Sequence, residues 1–144
     1  MATTFRWLPY NAPDVAVAGA TLNALATAGY AYGAEIDNSV LLYTLADLTV
    51  ALSAAVVSVA PASLTVFVLP NIDGNYTTAA GNPGSSYSAG TYSGAGGSVQ
   101  FMQVRGIILP PNKFKIVLLN ALGVALPATT TSVCSLYRYG EQSF

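Results

Sequence analysis

The segment KFKIVLL, residues 113–119, sets the fold class of this 144-residue chain. In an extended conformation both of its lysines lie on one side, while Phe114, Ile116 and Leu118 lie on the other. Alternation of this kind is typical of a β-strand that has one face in a core and one face in water. The sequence therefore predicts a half-buried strand here.

Segments with the same character recur on both sides of it. Alternation or β-branched residues predict further strands at residues 41–46, 48–55, 64–69, 99–108 and 130–139. Residues 19–37 also alternate, although the Ala- and Leu-rich part at 20–28 is compatible with a helix. Seven or eight short strands separated by turn residues predict an all-β fold, an antiparallel two-sheet β-sandwich of jelly-roll or immunoglobulin-like type.

Two regions depart from this pattern. Residues 1–15 contain two prolines and three aromatic residues without a steady period, and they predict an N-terminal arm ahead of a single domain at residues 16–144. Phe5, Trp7 and Tyr10 of this arm either cap the domain's own core or anchor the arm on a neighbouring subunit.

The second region is GNYTTAAGNPGSSYSAGTYSGAGGS, residues 74–98, which carries no charge and is dominated by small residues. It predicts a long loop within the domain, because such a segment gains little from packing and loses much conformational entropy on ordering. Tyr76, Tyr87 and Tyr92 are its candidate contact residues. They either lie back on the domain itself or meet a protein partner or a sugar.

Composition points to function by contact. Charged residues make up 8% of the chain against about a quarter in typical domains, and the net charge is −1. A surface this poor in charge resists association weakly and favours a place in an assembly. Five scattered basic residues are too few for a nucleic-acid footprint. The apolar run at 40–60 is not expected to span a membrane, because Asp47 lies near its middle.

Residues suited to catalysis or metal binding are few. The chain has no histidine, which removes the usual general base and zinc ligand. Glu35 and Asp37 share one face of a strand, as a glycosidase pair would, but they read better as a solvated strand end. Asp73-Gly74 resembles a fragment of a calcium loop and equally suits a hairpin corner. We therefore expect no enzyme activity and no cofactor.

The remaining local signals are structural. The single cysteine, Cys134, excludes an intramolecular disulfide and is expected to be a small core residue. Gly94, Gly96 and Gly97 imitate a phosphate-binding loop in composition only, because no lysine follows them. Residues 1–13 show no export signal.

Three segments carry a resemblance to a known class of protein. VFVLPNIDGNY at 66–76, VRGIILPPNKFKIVLLNALGVAL at 104–126 and SLYRYGEQ at 135–142 resemble a pattern found in small β-sandwich virion proteins of tailed bacteriophages. The similarity covers roughly residues 40–140 and rests on strands and turns. It transfers no functional residue, because the recurring positions are turn formers: Pro70, Asp73, Gly74, Pro110, Pro111, Asn120 and Gly123.

The resemblance implies a capsid decoration or cement protein, assembled in the host cytoplasm and carried on the virion. Its implied partners are further copies of itself, with a trimer suiting a three-fold site on the head, and the major capsid protein. A tail or connector role is an alternative. A second alternative is a carbohydrate-binding module that holds a host glycan through Tyr76, Tyr87 and Tyr92.

Overall fold

The structure, a computed structural model, describes residues 5–8, 10–76, 86–94 and 97–143, without the side chains of 5–8, 93–94 and 141–143. Within these ranges the chain forms nine strands and one short helix. They are β1 Phe5–Leu8, β2 Asp14–Val17, α1 Gly19–Leu22, β3 Tyr30–Asp37, β4 Leu45–Ser58, β5 Ala62–Pro70, β6 Tyr87–Gly94, β7 Gly97–Ile108, β8 Lys113–Ala121 and β9 Val133–Ser143. The predicted all-β fold is confirmed.

The strands pair in a nested order. All pairs are antiparallel: β5 pairs with β6, β4 with β7, β3 with β8 and β2 with β9, so the chain winds up like one long hairpin. Pairing of β4 with β9 and of β5 with β8 then divides the hairpin into two sheets. The first sheet has the order β9-β4-β7 with β1 and β2 along the free side of β9, and the second has the order β3-β8-β5-β6. This winding is a double-sheet jelly roll, one of the two predicted kinds of sandwich.

Inward-facing residues of both sheets form one core. Phe114, Ile116 and Leu118 of β8 are fully buried, as their alternation predicts. Cys134 is buried with them, and desolvation raises the pKa of its thiol to about 12. The prediction that Cys134 is a core residue is confirmed.

The end of β7 also matches the prediction in part. Gly106 has a φ of +67°, and the register between β4 and β7 shifts beside it, so the predicted bulge is confirmed. Met102 and Val104 face the core, but Gln100, expected on the same face, is exposed. A second register shift, between Ala51 and Val56 of β4, lies opposite Gln100 and separates it from Met102 and Val104.

Two predicted regions, 41–46 and 19–37, differ from the structure in part. The segment at 41–46 is wrong as a strand, because β4 begins only at Leu45 and residues 38–44 form a connection. The region 19–37 contains both predicted alternatives, a four-residue helix α1 followed by strand β3. The helix goes no further because Ala24 and Ala28 have positive φ values of 51° and 61°.

Part of the predicted N-terminal arm lies on its own domain. Phe5–Leu8 pairs along the last residues of β9, and Asp14–Val17 pairs with the first half of the same strand. The side chains of Phe5 and Trp7 lie outside the described part of the chain.

The predicted loop at 74–98 is wrong for Tyr87–Gly94, which forms the edge strand β6, and for residues 97–98, which begin β7. Its small residues allow close packing here: a Cβ on Gly90 would lie only 2.3 Å from Cγ1 of Val104 in the other sheet. Residues 77–85 of this segment lie outside the described residues.

Candidate functional site

Connections between strands lie together at one end of the sandwich. The register places the end of β3 opposite the start of β8 at Asp37 and Lys113, and the start of β4 opposite the end of β7 at Leu45 and Ile108. The end of β5 pairs with β8 at the same level. The connections at 38–44 and 109–112 therefore leave the sandwich at one end, together with residues 71–76 that follow β5.

Asn38 fixes the first of these connections. It is fully buried, and its Nδ2 donates hydrogen bonds to the carbonyl oxygens of Tyr43 and Pro110, both at 2.8 Å. Its Oδ1 accepts a bond from the amide of Tyr43 at 3.0 Å, and its own carbonyl accepts one from the amide of Leu42 at 3.2 Å. A buried amide with these partners closes residues 38–43 into a fixed loop and ties it to the 109–112 connection.

The loop that Asn38 closes presents aliphatic side chains to solvent. Val40 is 82% exposed, Leu42 50% and Leu41 47%. Leu42 has a φ of +50°, a conformation that a leucine adopts only when its surroundings impose it. We call these three side chains, with the exposed Ile72 on a neighbouring connection and the exposed Ile108 at the end of β7, the apolar end.

Charged groups lie directly beside the apolar end. Lys113 forms an ion pair with Glu35 at 2.8 Å, and the hydroxyl of Tyr76 donates to the same carboxylate at 2.8 Å. The ammonium of Lys115 lies 4.4 Å from the centre of the Tyr76 ring. Tyr76, a predicted contact residue, is thus held against its own domain.

The two β3 carboxyls, Glu35 and Asp37, have partners that keep them ionised. Hydrogen bonding to Lys113, and then to Tyr76, lowers the pKa of Glu35, and hydrogen bonds from Ser39 lower the pKa of Asp37. A glycosidase acid requires the opposite shift. The pair therefore has the character of a solvated strand end.

The predicted calcium fragment is a tight turn. Asp73 has a φ of +51°, and Ile72 and Asn75 exchange two backbone hydrogen bonds of 2.9 Å across it. The Nδ2 of Asn75 donates a hydrogen bond of 3.1 Å to the carbonyl of Asp73 and so supports the turn. Among the residues that the structure describes, no group of three His, Cys, Asp or Glu could hold a metal ion.

The other predicted contact residues are not brought together. The hydroxyl of Tyr87, 38% exposed, donates to the carbonyl of Ile108 near the apolar end. Tyr92 lies further along β6 and packs against the core. Tyr10 is 56% exposed and lies on the outer face of the first sheet.

Tyr10 borders a shallow depression on that outer face, with a volume of about 340 Å³. The other lining residues come from the outward positions of β4, β7 and β9: Asp47, Thr49, Gln103, Arg105 and Tyr137. The hydroxyl of Tyr10 donates to Asp47 Oδ2 at 3.1 Å, and this bond is the main cause that raises the pKa of Tyr10. We call this site the aromatic depression.

A scan against models of protein families and a search of curated proteins each found no match to the chain. In the described ranges, no helix is long and apolar enough to cross a bilayer.

Proposed function

We propose that this chain is a non-enzymatic virion structural protein of the capsid decoration or cement type, which associates with copies of itself through the apolar end. The observation that carries the proposal is the loop held by Asn38. A buried amide with three side-chain hydrogen bonds serves there to hold Val40, Leu41 and Leu42 in water. Exposed aliphatic side chains on a fixed loop favour a contact surface, because little entropy is lost when they are covered.

The magnitude suits an assembly built from repeated weak contacts. Full burial of an exposed Val or Leu side chain is worth about 1.5–3 kcal/mol, so covering the exposed parts of Val40, Leu41 and Leu42 is worth about 3–5 kcal/mol per copy. Association costs of a similar size offset this gain for a single contact. A closed symmetric oligomer engages two contacts per copy and so offsets those costs in solution, and a lattice adds further contacts.

Composition and fold are compatible with this role. Only 8% of the residues are charged, so neighbouring copies repel one another weakly. Jelly rolls occur in viral capsid proteins, and this support is an analogy at the level of fold. The partners in this proposal are a second copy of the chain and the major capsid protein, and the location is the virion.

Light scattering on the purified full chain tests the proposal. The informative variant is Val40→Thr with Leu42→Asn, because threonine keeps the shape of valine and asparagine tolerates the positive φ of Leu42. A matched control is Val57→Thr with Val133→Thr, which alters two exposed valines near the opposite end of the sandwich.

We expect a defined oligomer for the wild type and for the control, and the mass of one chain for Val40→Thr/Leu42→Asn. The far-UV circular dichroism spectrum and cooperative unfolding should be retained in all three, since only exposed side chains change, and the melting temperature should depend on protein concentration only for the oligomeric forms. A wild type that stays monomeric at all concentrations, or an apolar-end variant that stays oligomeric, would contradict the proposed self-association.

A further inference from the structure

The aromatic depression is built by cross-strand neighbours on the outer face of the first sheet. Asp47 of β4 lies opposite Tyr137 of β9, and Thr49 lies opposite Gln103 of β7. Outward side chains of a central strand and its two neighbours thus form its floor, and the ring of Tyr10 stands beside them. The site depends on the register of the sheet rather than on any local sequence.

The ring of Tyr10 is fixed but open on one side. It makes edge-on contacts with Tyr139, at 4.9 Å between ring centres and 60° between planes, and with Tyr137, at 6.3 Å and 88°. Its hydroxyl is held by Asp47, and yet 56% of the residue is exposed. A preorganised aromatic face of this kind suits the C–H groups of a flat ring such as a pyranose.

The depression contains one anion, Asp47, and one cation, Arg105, and the two have different partners. Asp47 already accepts hydrogen bonds from the amide of Gly106 at 3.0 Å and from the hydroxyls of Tyr10 and Tyr139. Arg105, by contrast, donates to Gln103 Oε1 at 3.0 Å and forms no ion pair with a carboxylate among the described residues. The bulge at Gly106 lies directly after Arg105 in β7.

We propose that the aromatic depression binds a saccharide that carries a carboxylate, such as a uronic or sialic acid residue. The guanidinium of Arg105 is suited to the carboxylate in a two-bond arrangement, and Tyr10 and Tyr137 offer ring faces to the sugar. Thr49 and Gln103 supply hydrogen bonds for hydroxyl groups. The volume of about 340 Å³ lies within the range of sites for small molecules, about 300–1,000 Å³.

Two simpler ligand classes fit less well. A neutral sugar leaves the Arg105 guanidinium without an anion, and a small inorganic anion leaves the face of Tyr10 uncovered. The carboxylated saccharide uses both features. The site is separate from the apolar end, so this inference does not depend on the proposed self-association.

Titration of the full-length protein followed by NMR tests the inference. The matched probes are methyl β-D-glucuronide and methyl β-D-glucoside, which differ only in the carboxylate, and the methyl glycoside of N-acetylneuraminic acid represents the second source of an acidic sugar. We expect at least one acidic probe to bind at millimolar concentrations, and about tenfold more tightly than the neutral glucoside. Acetate alone should bind no better than the glucoside, because it lacks a ring.

Variants assign the binding to the depression. Arg105→Gln should remove the preference for the acidic sugar. Tyr10→Ala should lower the affinity for every sugar by about tenfold, whereas Tyr10→Phe keeps the ring and should keep most of the affinity. The matched control is Lys115→Gln, a cation on the second sheet, which should change nothing.

Three results would overturn the inference. They are a failure of both acidic probes to bind, an affinity for the better acidic probe that is no higher than that for the glucoside, and an Arg105→Gln variant that binds like the wild type. The same titration on the Val40→Thr/Leu42→Asn variant should give wild-type affinity, so failure of the assembly proposal and failure of the sugar site are distinguishable.

Discussion

Replacement of Asn38 by alanine should destabilise the protein far more than its place in a surface connection suggests. The substitution removes three side-chain hydrogen bonds of 2.8–3.0 Å. Two of them involve the backbone of Tyr43, which is 7% exposed, so water cannot readily replace them. The third involves the carbonyl of Pro110, which is half-buried and more accessible to water.

At about 1 kcal/mol for each hydrogen bond, with an added cost for the buried groups left without partners, Asn38→Ala should lower the free energy of unfolding by about 2–4 kcal/mol. In a domain of this size the melting temperature should fall by about 6–12 °C. Asn38→Asp is a stricter test, because it keeps the shape and the acceptor but places an oxygen 2.8 Å from two carbonyl oxygens. It should cost at least as much.

Urea unfolding followed by tryptophan fluorescence or circular dichroism measures both variants. The control is Asn112→Ala, which removes one exposed hydrogen bond to the carbonyl of Asn71 and should cost less than about 1 kcal/mol. A loss below about 1 kcal/mol for Asn38→Ala, or an equal loss for Asn112→Ala, would refute the reasoning that Asn38 builds the loop.

Four further predictions concern stability and reactivity. Arg138→Met should lower the free energy of unfolding in urea by about 2–3 kcal/mol, because the guanidinium of Arg138, only 12% exposed, lies 2.7 Å from the carboxylate of Asp14, which would lose its cation. This loss should largely vanish in an Asp14→Asn background. Gly33→Ala should cost about 3 kcal/mol or more, since its Cβ would lie 1.9 Å from a backbone oxygen of β2, whereas Gly74→Ala, in open space at a φ of +83°, should cost about 1 kcal/mol; equal melting temperatures would contradict this. The thiol of Cys134 should react with a disulfide reagent only as fast as the protein unfolds, because burial raises its pKa to about 12, and rapid reaction at pH 8 would be the contrary result. The lowered pKa values of the two β3 carboxyls mean that their contribution is complete above the unfolded pKa and is lost as the pH falls through the folded pKa; with no histidine in the chain, the free energy of unfolding should stay level from about pH 6 to 8 and decline below about pH 4. It should also decline above about pH 8.5, where the thiol of Cys134 ionises in the unfolded chain but not in the folded protein.

The regular part of the fold was accessible from sequence because alternation and burial agree there. In β8 the alternate residues Phe114, Ile116 and Leu118 are apolar and buried, as are Cys134 and Leu136 in β9, so a period of two was enough there. The predicted sandwich left two windings open. The jelly roll is decided by which strands pair across long stretches of chain, and alternation carries no information on this.

The apolar end was missed because its sequence resembles a buried strand. Val40, Leu41 and Leu42 are hydrophobic and follow a turn, and burial is the usual fate of such a run. Only the contact from Asn38 to Pro110, 72 positions away, shows that the run is held in solvent. The pattern that could have raised the question is a buried-type asparagine at the head of the run, since asparagine readily closes loops on its own backbone.

Strand β6 and the aromatic depression were missed for other reasons. The glycines and serines of β6 suggest a loop, but their small size is what lets this edge strand approach β7. The depression unites Tyr10, Asp47, Arg105 and Tyr137, which are far apart in sequence and become neighbours only through the register of three strands.

Cross-linking between copies tests most directly the central claim that the apolar end is a contact surface. The thiol of Cys134 is buried, so Val40→Cys places one accessible thiol on the apolar end, and Val57→Cys places one on another well-exposed site. With a short bismaleimide, the account predicts covalently joined chains for Val40→Cys and single chains for Val57→Cys. Single chains for Val40→Cys, or equal cross-linking of both variants, would contradict it.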